Sequence, residues 1–322
     1  MRTAPFNMLR MLVFAKSYEY NHNEPEFYPF ERSLDGKSDF SRPNPTFFAH
    51  LKKRILDLQA LDIQAKLILF HPYDRWGYSS MPSMTINICA IFWHESQRLR
   101  NVWWCMANEL DLMHAKTVSD FDRFFQLVKQ YDAYNHLRSI HYSHTQYDYS
   151  HPWVTYASLQ TGNFGESKRF REEWSKPIVY DEVGYEGNLN RRWGCMSGEE
   201  MTRRVWNGVL SGCYVTHGET YLPRESSYSE NSTPILWWST GGTLHGTSPS
   251  RIAFLKKLTE EMMKNTPLAM GWNPSSDTYY LNSVAYSDTE GKHAQTILYY
   301  FDLISRSGTS FLCPQQSSLR RT

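Results

Sequence analysis

Short apolar runs rich in β-branched and aromatic residues recur along this chain, with amphipathic stretches between them, and no other feature limits its folding so strongly. Strands buried on both faces read as continuous apolar runs, and parallel strands must be joined by crossovers long enough to hold a helix. Seven such runs stand out, at residues 9–14, 65–71, 102–109, 139–143, 153–160, 177–184 and 212–222. The intervening stretches carry helical periodicity. Phe48, Leu51, Ile55 and Leu58 share one face of residues 45–61, and Phe121, Phe124, Phe125 and Val128 share one face of residues 119–131. Ser197 and Glu200 have the spacing of a capping box ahead of Met201, Val205 and Leu210, and Ser248-Pro249 opens a helix running to about residue 263. The pattern predicts an α/β fold with a parallel sheet, of the (β/α)8 barrel class.

The 322 residues suit one such barrel and a small appendage. Beyond Pro267 the chain turns to Asn, Ser, Asp and Gly between short strand-like runs such as 296–301, so we divide it into a barrel over 1–266 and part of a small β domain over 267–322. A formal net charge of +1, spread along the chain, argues against a nucleic-acid or anionic-membrane partner. The five cysteines show no CxxC pair and read as free thiols. The N-terminus lacks a signal-peptide pattern and no segment reaches the roughly 20 apolar residues of a membrane span. As written, the chain reads as a cytoplasmic protein.

In a (β/α)8 barrel the chemistry sits where strands end. The run at 102–109 ends in Asn108-Glu109, and the run at 177–184 carries Asp181-Glu182. Cleaving a glycosidic bond takes one protonated carboxyl to release the leaving oxygen and one ionised carboxyl to attack, and two Glu on one rim supply both; at about 5–5.5 Å apart they perform retaining chemistry. Ion-paired rim carboxylates are the competing reading.

At these residues the sequence resembles the clan A glycoside hydrolases, and within them the bacterial family-5-like glycosidases that carry an N-terminal β-sandwich, a barrel and a C-terminal β domain. The blocks that carry the resemblance are YNHNEPEFYPFE, LILFHPYDRWG, RNVWWCMANELDLM, HLRSIH, KPIVYDEVGYEGN and THGETYL. The resemblance implies that Glu109 ends strand four as acid/base, that Glu182 ends strand seven as nucleophile, and that Asn108 binds the hydroxyl beside the anomeric carbon. It implies a carbohydrate substrate and no cofactor. It also makes residues 9–14 strand two, so that strand one is missing and the chain looks truncated at both ends.

Around this pair we place substrate-binding candidates: His71, Tyr73, Asp74, Arg75 and Trp76 after the second run, His141, Tyr156, Tyr185, and His217 with Glu219 on the last run. For Asp74 and Arg75 the alternative is a loop pinned by their pairing. Trp153, Trp193, Trp237 and Trp238 are candidates to stack on a sugar ring, with core packing as the alternative. A metal-dependent hydrolase using His141, His217 and Glu219, and a non-catalytic carbohydrate-binding remnant, are the rival functions. We expect no metal, because no H-x-H or HExxH spacing accompanies these residues.

Two stretches do not fit. Residues 84–99, MTINICAIFWHESQRL, stand where the barrel needs a helix but show no helical stripe. Reading their codons one base earlier permits DNKYLRYFLARISAF, which is amphipathic, and the same operation converts ISRSGTSF at 304–311 into NQPVRNFF. We read these as two shifts of reading frame, one compensated and one truncating, with natural divergence as the competing reading.

Overall fold

The computed structural model describes residues 4–17, 24–80, 99–222, 244–263, 270–272, 279–287 and 293–302. The two stretches that do not fit, 84–99 and 304–311, lie outside these residues apart from Leu99, as do Trp237 and Trp238. The chain divides into two compact units, Phe6–Ser158 and Leu159–Thr322.

In the first unit, β1 (Met8–Leu12) is followed by an antiparallel pair, β2 (Phe30–Arg32) and β3 (Ser38–Pro43). Helix α1 (Pro45–Gln59), β4 (Gln64–Phe70), β5 (Val102–Ala107), helix α2 (Val118–Tyr131), β6 (Arg138–Ser139) and β7 (Ala157–Leu159) complete it, β7 running one residue past the division. The sheet has the order β1-β4-β5-β6 and every pairing is parallel. Its centre is apolar on both faces, as the runs require: Ala65, Leu67, Cys105, Met106 and Ala107 have no exposed surface. Helix α1 begins where Asn44 caps it by accepting from the Thr46 N–H at 3.0 Å, with Pro45 at the first position, where a missing N–H costs nothing. Its buried face is Phe48, Leu51, Ile55 and Leu58, the predicted stripe. Helix α2 starts on a reciprocal box in which Thr117 and Asp120 satisfy each other's main-chain N–H groups, and buries Phe121, Phe124, Phe125 and Val128.

The β2–β3 pair was not foreseen. It is held by local polar residues, with Asp39 accepting from Ser41, and packs Phe30 edge-on against Phe40 at 5.4 Å. Where a strand over 139–143 was expected, the ladder covers Arg138–Ser139; beyond it His141 donates its N–H to the Ala107 carbonyl at 3.0 Å and forms an isolated bridge to Ser158.

In the second unit the Leu159 carbonyl accepts from the N–H groups of Asp181 (2.8 Å) and Glu182 (3.3 Å). The elements that follow Leu159 are α3 (Ser167–Trp174), β8 (Ile178–Tyr180), β9 (Glu186–Gly187), α4 (Gly198–Leu210), β10 (Tyr214–Val215), β11 (Glu219–Thr220) and α5 (Ser248–Met263). β10 runs parallel to β8 and β11 parallel to β9. The single strand expected over 212–222 is thus two short ones. Gly218 lies between them with its carbonyl accepting from the Glu186 N–H at 3.0 Å, and a Cβ there would meet the Tyr185 ring at 2.4 Å. Ser197 caps α4 by accepting from the Glu200 N–H at 3.2 Å, but the Glu200 carboxylate is held by Arg203 and Arg204 instead of closing the box. Further on, β12 (Met270–Trp272), β13 (Tyr279–Ser287) and β14 (His293–Asp302) form an antiparallel meander, and the run at 296–301 falls inside β14. Among the described residues no helix is long and apolar enough to cross a membrane, and Cys105, Cys195 and Cys213 are free thiols.

Candidate active site

The end of β5 delivers Glu109 in the first unit. The strand's last hydrogen bond, from the Asn108 N–H to the Phe70 carbonyl at 2.8 Å, fixes the point of exit. Glu109 then turns sharply, with φ 49° and ψ 56°, the left-handed region that side chains with a Cβ seldom occupy. The Tyr73 hydroxyl donates to its Oε2, and Asn108 Nδ2 donates to the same oxygen at 3.1 Å. Asn108 Oδ1 in turn accepts from Arg10 Nη2 at 2.6 Å, so the amide's two ends are assigned by their partners. Asn108 and Glu109 are each about 7% exposed. A carboxyl so placed, with donors fixed on one oxygen and little water around it, is suited to giving and taking a proton.

Arg10 was missed by sequence reasoning. A lone arginine inside the apolar run at 9–14 is the signal that identifies it, because a charged residue on such a strand needs a buried polar partner.

Other predicted residues of this unit fall into place differently. His71 is buried, with Nε2 against the Phe14 carbonyl at 3.2 Å, and burial pushes its pKa down to about 4, so the ring is neutral near pH 7. Asp74 accepts from the N–H groups of Trp76 (2.8 Å) and Ser79 (2.6 Å) and so pins the loop through its main chain, not through Arg75. Arg75 pairs with Glu24 and lies over the Trp76 ring at 4.7 Å. Two expectations need correction: Tyr156 and His141 have no exposed surface and do not offer a face to a sugar. Tyr156 packs edge-on against Trp103 at 5.1 Å and under Lys66 Nζ at 4.9 Å, while His141 Nδ1 accepts from the Glu109 N–H at 3.2 Å. Trp153 stacks on His151 at 4.4 Å and donates to the Tyr147 hydroxyl.

The second unit holds Glu182 just past the end of β8, half-buried, with the Tyr185 hydroxyl donating to its Oε2 at 2.7 Å. The Tyr185 ring is edge-on to Trp193 at 5.6 Å, and Trp193 is exposed. The turn between them is tight: Gly184 has φ 92°, and Arg204 donates to the Val183 carbonyl.

Below this turn, Glu186, His217 and Glu219 come together, with one ligand-capable atom from each within 4.8 Å of the others. The metal reading needed His141 beside His217 and Glu219; among the described residues the third member of the cluster is Glu186 instead. Both carboxylates are fully buried and grip the chain ahead of α5. Glu219 accepts from the N–H groups of His245 (2.7 Å) and Gly246 (2.9 Å), and Glu186 from those of Thr247 (2.7 Å) and Ser248 (3.2 Å), from the Ser248 hydroxyl, and from the Tyr221 hydroxyl at 3.1 Å. Glu219 is therefore a loop anchor and not a sugar ligand, which corrects that expectation. Burial pushes the Glu186 carboxyl upward, yet attraction from His217 and the hydrogen bonds from Ser248 and Thr247 outweigh it and hold its pKa at about 2. Glu186 was read only as part of a sequence block, and its anchoring role becomes visible once the loop at 245–248 is brought to it.

The family model described as "Apiosidase-like, catalytic domain" matches residues 2–264. Among solved structures, the chain is 35% identical to a candidate glycoside hydrolase from Bacteroides vulgatus ATCC 8482, with a TM-score of 0.76 over 91% of this chain. The chain spans 63% of that structure's length. It is 12% identical to a glycoside hydrolase of family 5 from the same organism (TM-score 0.57; 94% of this chain, 80% of that one) and 12% identical to an endo-β-1,4-mannanase from Thermotoga petrophila (TM-score 0.54; 94% and 86%). A search among curated proteins returns no match. The likeness to the family 5 structures shows the fold, the (β/α)8 barrel.

Proposed function

We propose that this chain, which belongs to the family of Apiosidase-like catalytic domains, is the barrel of a retaining glycosidase in which Glu109 is the general acid/base and Glu182 the nucleophile. The observation that carries the reading is that each of these two Glu follows the C-terminal end of a parallel strand, where barrels keep their chemistry, with its carboxylate already held by neighbouring side chains: Tyr73 and Asn108 on Glu109, Tyr185 on Glu182.

In the first half-reaction Glu182 attacks the anomeric carbon as the C–O bond breaks, and the Glu109 proton passes to the departing oxygen. In the second, Glu109 takes a proton from water, whose oxygen displaces Glu182 from the glycosyl ester. Asn108, held by Arg10 through its carbonyl oxygen, presents its amide toward the hydroxyl next to the anomeric carbon. In this reading Trp76 and Tyr185 also touch the sugar. The bond cleaved is a β-glycoside. The family is named for apiosidases, so aryl apiosides head the substrate panel, followed by aryl β-mannosides after the mannanase neighbour.

The test is Glu182→Ala. Turnover of an aryl glycoside should be abolished, with partial rescue by azide, which fills the space of the lost carboxylate and yields a glycosyl azide of inverted configuration. Turnover like that of the unmodified protein would reject the assignment.

A further inference from the structure

Glu109 occupies a backbone conformation that a side chain with a Cβ resists, and the chain around it explains how it stays there. Four non-glycine residues among those described have positive φ: Asp62, Glu109, Asn135 and Ser175. Asp62 and Ser175 sit just beyond helix ends and Asn135 lies in the stretch after α2, whereas Glu109 alone comes within two residues after the end of a strand of the sheet. Nothing intrinsic to glutamate favours this geometry.

His141 makes three hydrogen bonds to the chain on both sides of Glu109. Its ring Nδ1 accepts from the Glu109 N–H at 3.2 Å, its carbonyl accepts from the Leu110 N–H at 2.9 Å, and its own N–H donates to the Ala107 carbonyl at 3.0 Å. Because Nδ1 accepts, the ring is in the neutral form with its proton on Nε2. The imidazole has no exposed surface and is bounded by the chain, so its direction is fixed by packing.

We propose that His141 is the positioning residue of the acid/base: its ring nitrogen fixes the Glu109 main chain in the left-handed turn and thereby aims the carboxyl at the departing oxygen. This rests on the reading of Glu109 as acid/base given above. His141 touches no substrate in this scheme and acts through Glu109.

The side chain can be replaced by one that keeps the acceptor in place. Asparagine carries Oδ1 on Cγ, at the same remove from the backbone as Nδ1, whereas glutamine sets its acceptor one bond farther out and leucine has none. The experiment compares His141→Asn, His141→Gln and His141→Leu on two aryl glycosides of the same sugar, one with a good leaving group (2,4-dinitrophenol) and one with a poor one (an unsubstituted phenol). Thermal melts and circular dichroism establish folding. Only the poor leaving group needs a proton from Glu109 to depart, so in kcat/KM, which covers the steps through cleavage of the glycosidic bond, a misaimed carboxyl should cost about a hundredfold on the phenyl glycoside in the Leu and Gln variants. kcat/KM on the dinitrophenyl glycoside should change little, while its kcat and KM fall together because Glu109 also activates the water that cleaves the glycosyl ester; Asn should restore kcat/KM on the phenyl glycoside to within about tenfold. A loss of kcat/KM equal for both leaving groups would assign His141 a merely structural part and overturn the proposal, as would Asn behaving like Gln. If the Leu variant does not fold, the contrast of Asn with Gln decides. Glu109→Gln run beside them separates the two ideas: unchanged kcat/KM of Glu109→Gln on the phenyl glycoside sinks the acid/base reading itself, whereas a loss there with an unaffected His141→Leu sinks only the role of His141.

Discussion

Replacing Glu186 with glutamine should weaken the fold by an amount that depends on pH. The carboxylate is fully buried and receives donors on both oxygens: the Thr247 N–H and Tyr221 hydroxyl on Oε1, the Ser248 N–H and hydroxyl on Oε2. Glutamine has nearly the same volume, but one of its two terminal atoms is an NH2 group, which sets donor against donor whichever way it points. Holding the carboxyl at about 2 instead of its ordinary 4.5 corresponds to about 3 kcal/mol at neutral pH. His217 Nε2 lies 3.9 Å from Oε2, beyond hydrogen-bond range, so the net value is nearer about 2 kcal/mol. The sign follows from linkage. A carboxyl whose folded pKa is depressed stabilises fully above the unfolded value, and that contribution is lost as pH falls from about 4.5 toward about 2. Urea unfolding followed by tryptophan fluorescence at pH 7 should show the variant about 2 kcal/mol less stable, with a melting temperature lower by on the order of 5 °C. At pH 3 the two proteins should lie closer together. Equal stability at pH 7, or a gap that does not narrow on acidification, would refute the assignment of Glu186 as the anchor of residues 247 and 248.

Two further outcomes follow from the packing. Arg10→Leu removes the donor that fixes the Asn108 amide, and kcat should fall by about tenfold or more while the melting temperature changes less than for a core truncation; an unchanged kcat would show that Asn108 needs no such support. Phe125→Ala, at a position with no exposed surface on α2, should cost about 3–5 kcal/mol in denaturant unfolding, and a loss below about 1 kcal/mol would contradict its place in the core.

The stripe Phe48, Leu51, Ile55, Leu58 and the run at 65–71 were sufficient to predict α1 and β4, because burial of a helix face and of a two-sided strand leaves periodic marks in the order of residues. The positions of Glu109 and Glu182 just past strand ends were legible for a related reason: each stands at the close of an apolar run that marks a buried strand. Three things were not legible. The role of His141 depends on a neighbouring strand bringing its Nδ1 to the Glu109 N–H across 32 positions of sequence, and the partnership of Arg10 with Asn108 spans 98. The gripping of residues 245–248 by Glu186 and Glu219 spans 26 to 62. The short-range pattern of apolar and polar residues therefore set which segments become strands and helices and which acids stand at their ends. Which nitrogen meets which oxygen was decided only when the strands aligned in register, because a hydrogen bond forms over about 3 Å and linear order carries no information at that scale.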